Sequence, residues 1–337
     1  MKSMVRILAA ALFWLAALLA TLWAAGALAF DLPWPGLRRP AAAGFALLAL
    51  VVLWRVPGKW AKPAVLVTLA AAVAAWWFTL QPIHHRQWQP EVERLARVDV
   101  NGDLVTLHNI RNFDYRTDRD FTPRWETRTL NLAQLTGADI AVNYWGSPWM
   151  AHPIISFQFA NAAPVCFSIE TRKEVGEKYS AIGGLYRQFE LVYIAADERD
   201  VLRLRTNFRK GEDVYLYRLT LTPAQARERF MEYVRAIDLL NQRPFWYNAL
   251  TTNCTTTIRS QRNPALRQPW DWRLLVNGKG DEMLYERGQI APGNLPFPEL
   301  KRRARVNEAG LAAGNSPDFS RLIRAGRPGF EGEQGRK

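Results

Sequence analysis

The pattern of apolar and polar positions divides the chain in two. Through about residue 80, Ala, Leu, Val and Trp dominate and acids are almost missing; beyond it, polar and apolar positions alternate as in an ordinary globular domain. The run from about Ile7 to Phe30 follows a basic start containing Lys2 and Arg6. At about 1.5 Å per residue it crosses a hydrocarbon core of about 30 Å. A cleaved signal peptide is the alternative, but this run is long for one and further apolar runs follow. Those runs, about Ala41 to Trp54 and about Ala64 to Leu80, predict two thin crossings or a re-entrant hairpin, and both return the chain to one side. Lys2, Arg6, Arg55, Lys59 and Lys62 argue for a cytoplasmic N-terminus and second connection, against Arg38 and Arg39. The rest of the chain, from about His84, then lies outside the cytoplasmic membrane; two spans in total would reverse that.

Past the membrane region the period changes to two. Ala96–Val100 and Asp103–Leu107 flank Asn101-Gly102, the signal for a hairpin with a tight primed turn. Residues 111–126, rich in Arg, Asp, Thr and Pro, read as an exposed loop. Further strands are predicted over Asp139–Tyr144, Pro153–Phe159, Pro164–Arg172, Phe189–Ala195 and Val214–Leu221. A helix begins at Thr222-Pro223, a cap followed by proline in the first turn, and buries Phe230, Val234, Ile237 and Leu240. The predicted class is α+β with an antiparallel sheet: a membrane region over 1–83 with about three transmembrane helices, a domain over 84–270, and a loop-rich extension over 271–337 with a disordered tail from about Gly310.

A formal charge of +13 raises the question of nucleic acid, but no zinc-finger, RNA-binding or helix-turn-helix signature accompanies it. Basic residues spread over a tethered domain suit anionic headgroups, or simply form a solvated surface. No metal or organic cofactor is called for.

The chemistry concentrates at Tyr247-Asn248-Ala249-Leu250-Thr251-Thr252-Asn253-Cys254-Thr255-Thr256-Thr257, where a polar loop enters a short helix at a cysteine. A sulfur at a helix N-terminus is favoured as the thiolate, which predicts a lowered pKa. Of four histidines, His152 opens an apolar strand in the same domain and is the candidate base. Alternation on the next strand puts Val165, Phe167 and Ile169 on one face and Cys166, Ser168, Glu170 and Arg172 on the other. Glu170 is the candidate to orient His152, with Asn253 or Asn248 as rivals; a salt bridge to Arg172 or Lys173 is the plainer reading of Glu170. Backbone N–H groups near Cys254, helped by Asn253, Tyr247 or Asn248, would bind an oxyanion. Outside the cytoplasm a Cys166–Cys254 disulfide is a rival to catalysis.

The order of His152, Glu170 and Cys254 resembles circularly permuted papain-like (NlpC/P60-like) thiol enzymes, in which the base precedes the nucleophile. The blocks His152-Pro153-Ile154-Ile155-Ser156-Phe157, Phe167-Ser168-Ile169-Glu170-Thr171-Arg172, Gly176-Glu177-Lys178-Tyr179-Ser180, Val214–Leu219 and above all Asn253-Cys254-Thr255-Thr256 resemble the bacterial envelope family named for the N-terminal periplasmic domain of the lipoprotein N-acyltransferase Lnb. The resemblance covers roughly 95–270. It implies a multi-pass protein of the bacterial cytoplasmic membrane with a periplasmic thiol acyltransferase domain, Cys254 as nucleophile and His152 as base. A membrane phospholipid would be the acyl donor and a lipoprotein N-terminus, or another cell-envelope substrate, the acceptor. In the acyltransferase the membrane helices follow the domain; here they precede it. The alternatives are a cysteine amidase or esterase with the same site, and a non-catalytic envelope binding protein.

Overall fold

The computed structural model describes residues 2–331. They form two compact units, one of Met1–Arg86, Lys178–Glu190 and Trp246–Ala249, the other of Gln87–Glu177, Leu191–Phe245 and Leu250–Lys337.

In the first unit the apolar runs are three helices, α1 (Lys2–Asp31), α2 (Pro35–Arg55) and α3 (Ala61–Thr79), each long and apolar enough to cross a membrane. The second and third runs are less thin than their apolar residues alone suggest. α2 begins at Pro35, ahead of the apolar run from Ala41, because proline suits a first turn whose N–H groups have no partner. α1 packs on α2 and α3, with Ala17, Ala49, Val52 and Leu66 at the contact; Leu8, Leu12, Leu15 and Leu22 stay exposed, as a lipid-facing surface requires. Asp31 ends α1 by accepting from Trp77 Nε1 at 2.6 Å and from the Arg187 N–H at 3.0 Å. The Arg187 guanidinium donates to the carbonyls of Trp77 and Leu80 at 2.7 Å each, and so joins the 178–190 segment to the ends of α1 and α3.

The second unit is built on a sheet. β1 (Arg97–Asn101) and β2 (Leu104–Arg111) form the expected hairpin, but the loop is Gly102-Asp103, since Asn101 still pairs with Leu104 and Gly102 takes φ +59°. β3 (Asp114–Tyr115) and β4 (Phe121–Thr122) make a small ribbon. Phe113 and Tyr115 there are buried against Phe121, Trp125 and Phe208, so 111–126 is not simply an exposed loop. Then come β5 (Trp125–Asn131), β6 (Leu135–Trp145), β7 (Ala151–Phe159), β8 (Val165–Arg172), β9 (Glu190–Ala196) and β10 (Glu212–Arg218). Among the described residues the main sheet has eight strands in the order β1-β2-β9-β8-β7-β6-β10, with β5 on β2. It is mixed rather than purely antiparallel: β2 meets β9 in parallel at Arg111 and Ala196, a pairing that no hairpin constrains.

Helices cover both faces. On one lie α5 (Pro223–Gln242), α6 (Cys254–Ser260), α7 (Gly280–Glu286) and α8 (Phe297–Ala304). Thr222 caps α5 and Gln225 reaches back to it, which fixes the start of the helix. Phe230 and Tyr233 of α5 then stack on Phe157 and Phe167 of the sheet at 5.1–6.0 Å between ring centres. On the other face lie α4 (Glu198–Arg203), α9 (Asn307–Ala313) and α10 (Phe319–Leu322), packed on Ala141, Ile154, Cys166, Val214 and Leu216.

The disordered tail expected from Gly310 is therefore a correction. Phe319, Ile323 and Phe330 enter the core, and Arg324 is buried between Asp139 (2.8 Å) and Glu198 (2.5 Å). Buried carboxylates need such a cation. Residues 332–337 lie outside the described part.

Candidate functional site

Cys254 is the first residue of α6, and Asn253 is its cap. The Asn253 Oδ1 accepts from the backbone N–H groups of Thr255 (3.0 Å) and Thr256 (2.9 Å), while Thr256 Oγ1 accepts from the Asn253 N–H at 2.9 Å. The cap thus takes two N–H groups of the first turn and leaves that of Cys254 itself outside the pair. Asn253 is thus the helix cap through its Oδ1.

The sulfur receives its hydrogen bond from elsewhere. Asn277 Nδ2 donates to Cys254 Sγ at 3.2 Å, and Thr255 Oγ1 lies at 4.0 Å. Asn277 is held by its neighbour. The Gly278 N–H donates to the Trp149 carbonyl at 3.1 Å and its own carbonyl accepts from Tyr144 Oη at 3.0 Å. Asn277 was not anticipated, because it comes from the supposed loop-rich extension, where Asn-Gly signals a turn and nothing local signals a partner for a thiol.

Burial pushes the Cys254 thiol up, with the Asn277 and Thr255 bonds pulling against it. The expected depression at a helix start is not found, and the reason is physical. The helix has only seven residues and Cys254 is 6 % exposed, so desolvation outweighs the Asn277, Thr255 and backbone N–H bonds that favour the anion.

A cavity of about 130 Å³ has Thr255 and Asn277 in its wall, with Val142, Pro153, Ile258 and Met283 as its apolar part and Arg229, Arg259, Arg262 and Arg287 as its cationic part. A second cavity of about 320 Å³, between α5 and the sheet, shares Ile140, Ile258, Arg229 and Arg262 with it.

His152 stands in another arrangement. Its Nε2 is 2.7 Å from Ser168 Oγ and 3.6 Å from Glu170 Oε1; Ser168 donates to that carboxylate oxygen at 2.8 Å, and Arg205 donates to it at 3.0 Å. The register Ile154 to Ser168, carried on by two places, sets Glu170 opposite His152. Glu170 thus orients the imidazole chiefly through Ser168, and its ion pair is with Arg205 of the π-helical turn Leu204–Phe208 rather than with Arg172 or Lys173. Burial holds His152 down to about 4, against the opposing pull of Glu170 and with help from the Arg205 and Arg209 charges. Glu170 stays well below the usual carboxylate range; burial opposes this, and Arg205, His152 and Arg111 overcome it.

The two groups are not brought together. Pro153 lines the cavity beside Thr255 and Asn277, so His152, its neighbour on β7, points to the opposite face of the sheet. Ile154, two residues on, packs in the α4-side core and shows the same parity. Among the described residues no imidazole or carboxylate is hydrogen-bonded to Sγ. The expectation that His152 and Cys254 form a pair is corrected by strand alternation. Cys166 shares the His152 side, and both cysteines are free thiols. The Cys166–Cys254 disulfide is therefore not formed.

Tyr247 and Asn248 belong to the unit of membrane helices. The Tyr247 N–H donates to the Phe189 carbonyl at 2.9 Å, its ring packs over Gly184, and Asn248 Nδ2 donates to the Leu185 carbonyl at 3.1 Å. Among the described residues no group of three His, Cys, Asp or Glu side chains is placed to hold a metal.

An α+β domain on a mixed sheet, with a buried thiol that accepts from a carboxamide lining a partly apolar cavity, defines a candidate thiol centre. Residues 121–278 match the family described as the Lnb N-terminal periplasmic domain, so the resemblance carried by the Asn-Cys-Thr-Thr block is shown for this stretch, which includes Asn277. Three helices apolar enough to span and a periplasmic-domain match together describe a membrane-associated envelope protein. No curated protein and no solved structure matches the chain.

Proposed function

We propose that the second unit is a thiol acyltransferase of the cell envelope, with Cys254 as nucleophile and a lipid ester as donor. The observation that carries this reading is that Cys254 Sγ accepts from Asn277 at 3.2 Å, and that Asn277 and the adjoining Thr255 line a cavity with an apolar part. Sulfur attacks the ester carbonyl; the S–C bond forms, the C–O bond breaks, and the thiol proton ends on the departing glycerol oxygen. An N-terminal amine of a lipoprotein then attacks the thioester: C–N forms, C–S breaks, and the amine returns a proton to sulfur. Asn277 Nδ2 and the Cys254 backbone N–H are the donors toward the oxyanion of each tetrahedral intermediate.

His152 is not assigned as the base, because it lies on the other face. The chain order of His152, Glu170 and Cys254 supports a permuted papain-like domain, whereas the face on which His152 sits does not support a papain-like dyad. The proposal is tested on the full-length protein in phospholipid nanodiscs by intact mass. A gain of one acyl chain that hydroxylamine removes supports it, and an unmodified thiol in the presence of every lipid ester offered contradicts it.

A further inference from the structure

α6 and the turn after it present Thr255, Ile258, Arg259 and Arg262 to the cavities, a spacing of three, four and seven that makes one helical face. That face begins next to the nucleophile and becomes cationic along its length. Arg259 follows Cys254 by five residues, a rise of about 7.5 Å.

Four arginines, Arg229, Arg259, Arg262 and Arg287, line the cavities against two glutamates, Glu228 and Glu232. Two of the cations have partners: Arg229 donates to Glu232 at 2.9 Å, and Arg287 to Asp271 at 3.1 Å. The other two are less well served. Arg259 gives Nη2 to the Gln268 carbonyl at 3.2 Å, but its Nε is buried without a partner. The Arg262 Nε is also buried without a hydrogen bond and stands 3.8 Å from Glu232. Burial and the adjacent Arg229 charge disfavour the Arg262 cation more than Glu232 and Glu228 favour it, and an added anion would act in the same direction as those glutamates.

A half-buried guanidinium that lines the cavity and whose Nε–H is buried without a hydrogen bond fits a phosphate. A fatty acid would place its charge on the reacting carbon itself, whereas here the cations stand more than a helical turn from the sulfur. We propose that Arg259 and Arg262 form a subsite for the phosphodiester of a glycerophospholipid whose acyl ester reaches Cys254. This rests on the acyl-transfer reading and assigns to Arg259 and Arg262 the recognition of the donor's phosphate.

The test is equilibrium binding to full-length Cys254→Ala protein in a nonionic detergent, with dihexanoyl phosphatidylglycerol, dihexanoylglycerol and inorganic phosphate as probes. The phospholipid binds about tenfold more tightly than either of the others, as one charge-assisted contact predicts. Arg259→Gln with Arg262→Gln brings that ratio near one; the single changes Arg259→Lys and Arg262→Lys, which keep charge and lose the fork, give intermediate ratios. Equal affinity for dihexanoylglycerol, an unchanged ratio in the variants, or equally tight inorganic phosphate overturns the lipid subsite. Acylation of the wild-type thiol is read separately. A phospholipid preference without acylation leaves the subsite and removes the transferase, and acylation without preference does the reverse.

Discussion

Asn277 donates to the Cys254 sulfur at 3.2 Å, and the residue after it has no room for a side chain. A carboxamide so placed favours the thiolate, and on the proposed acyl-transfer reading it would also donate to the oxyanion. Asn277→Ala is expected to move the pH midpoint of Cys254 alkylation by iodoacetamide upward, since Asn277 is the leading influence pulling that pKa down. It is also expected to cut acyl transfer by about 10²-fold, in line with loss of one oxyanion donor. Unchanged alkylation and transfer would remove Asn277 from the site.

Gly278→Ala tests the support of Asn277. A Cβ there would meet the Pro148 carbonyl oxygen at 2.3 Å and Trp149 C at 2.4 Å, both backbone. The 277–278 turn must move, at a cost of about 1–3 kcal/mol, and the alkylation profile should shift in the direction of Asn277→Ala. A folded variant with the wild-type profile would contradict this.

His152 sets a pH limit on stability. Its pKa falls from about 6.5 unfolded to about 4 folded, so between these values the unfolded chain binds the proton that the folded chain refuses. Stability is full above about pH 6.5 and declines as pH falls toward 4, by about 3 kcal/mol at most. Thermal unfolding of His152→Gln between pH 7 and 4.5 should fall less steeply than that of the wild type.

The same variant tests the division of the sheet. Because His152 faces away from Cys254, His152→Gln is expected to leave the pH profile of Cys254 alkylation unchanged. A shifted profile would mean that the imidazole reaches the sulfur in solution.

Much of this architecture could be read from residue patterns. Alternation placed the strands and put Cys166, Ser168 and Glu170 on one face, and the Thr222-Pro223 cap placed α5. It could not say which face receives α6, since local periodicity does not specify where a helix docks; the pairing of His152 with Cys254 failed there. Asn277 escaped because its partner lies 23 residues earlier in the chain. The C-terminal segment misled through its arginines and glycines, although Phe319, Ile323 and Phe330 are spaced along it and buried.

Arg324 shows what that segment contributes. Arg324→Ala would leave Asp139 without its shortest contacts from the tail and Glu198 without its buried cation, at about 3–5 kcal/mol. A large fall in melting temperature is expected, and a variant as stable as the wild type would show that the tail is not part of the core.

The central claim is that Cys254 carries an acyl group. Full-length protein incubated in phospholipid nanodiscs, denatured and weighed intact should show one added fatty acyl mass that hydroxylamine removes. Peptide mapping should place it on Cys254, and Cys254→Ser should lack the hydroxylamine-labile adduct. Wild-type transfer activity retained in Cys254→Ser, or an acyl group mapped elsewhere, would contradict the account.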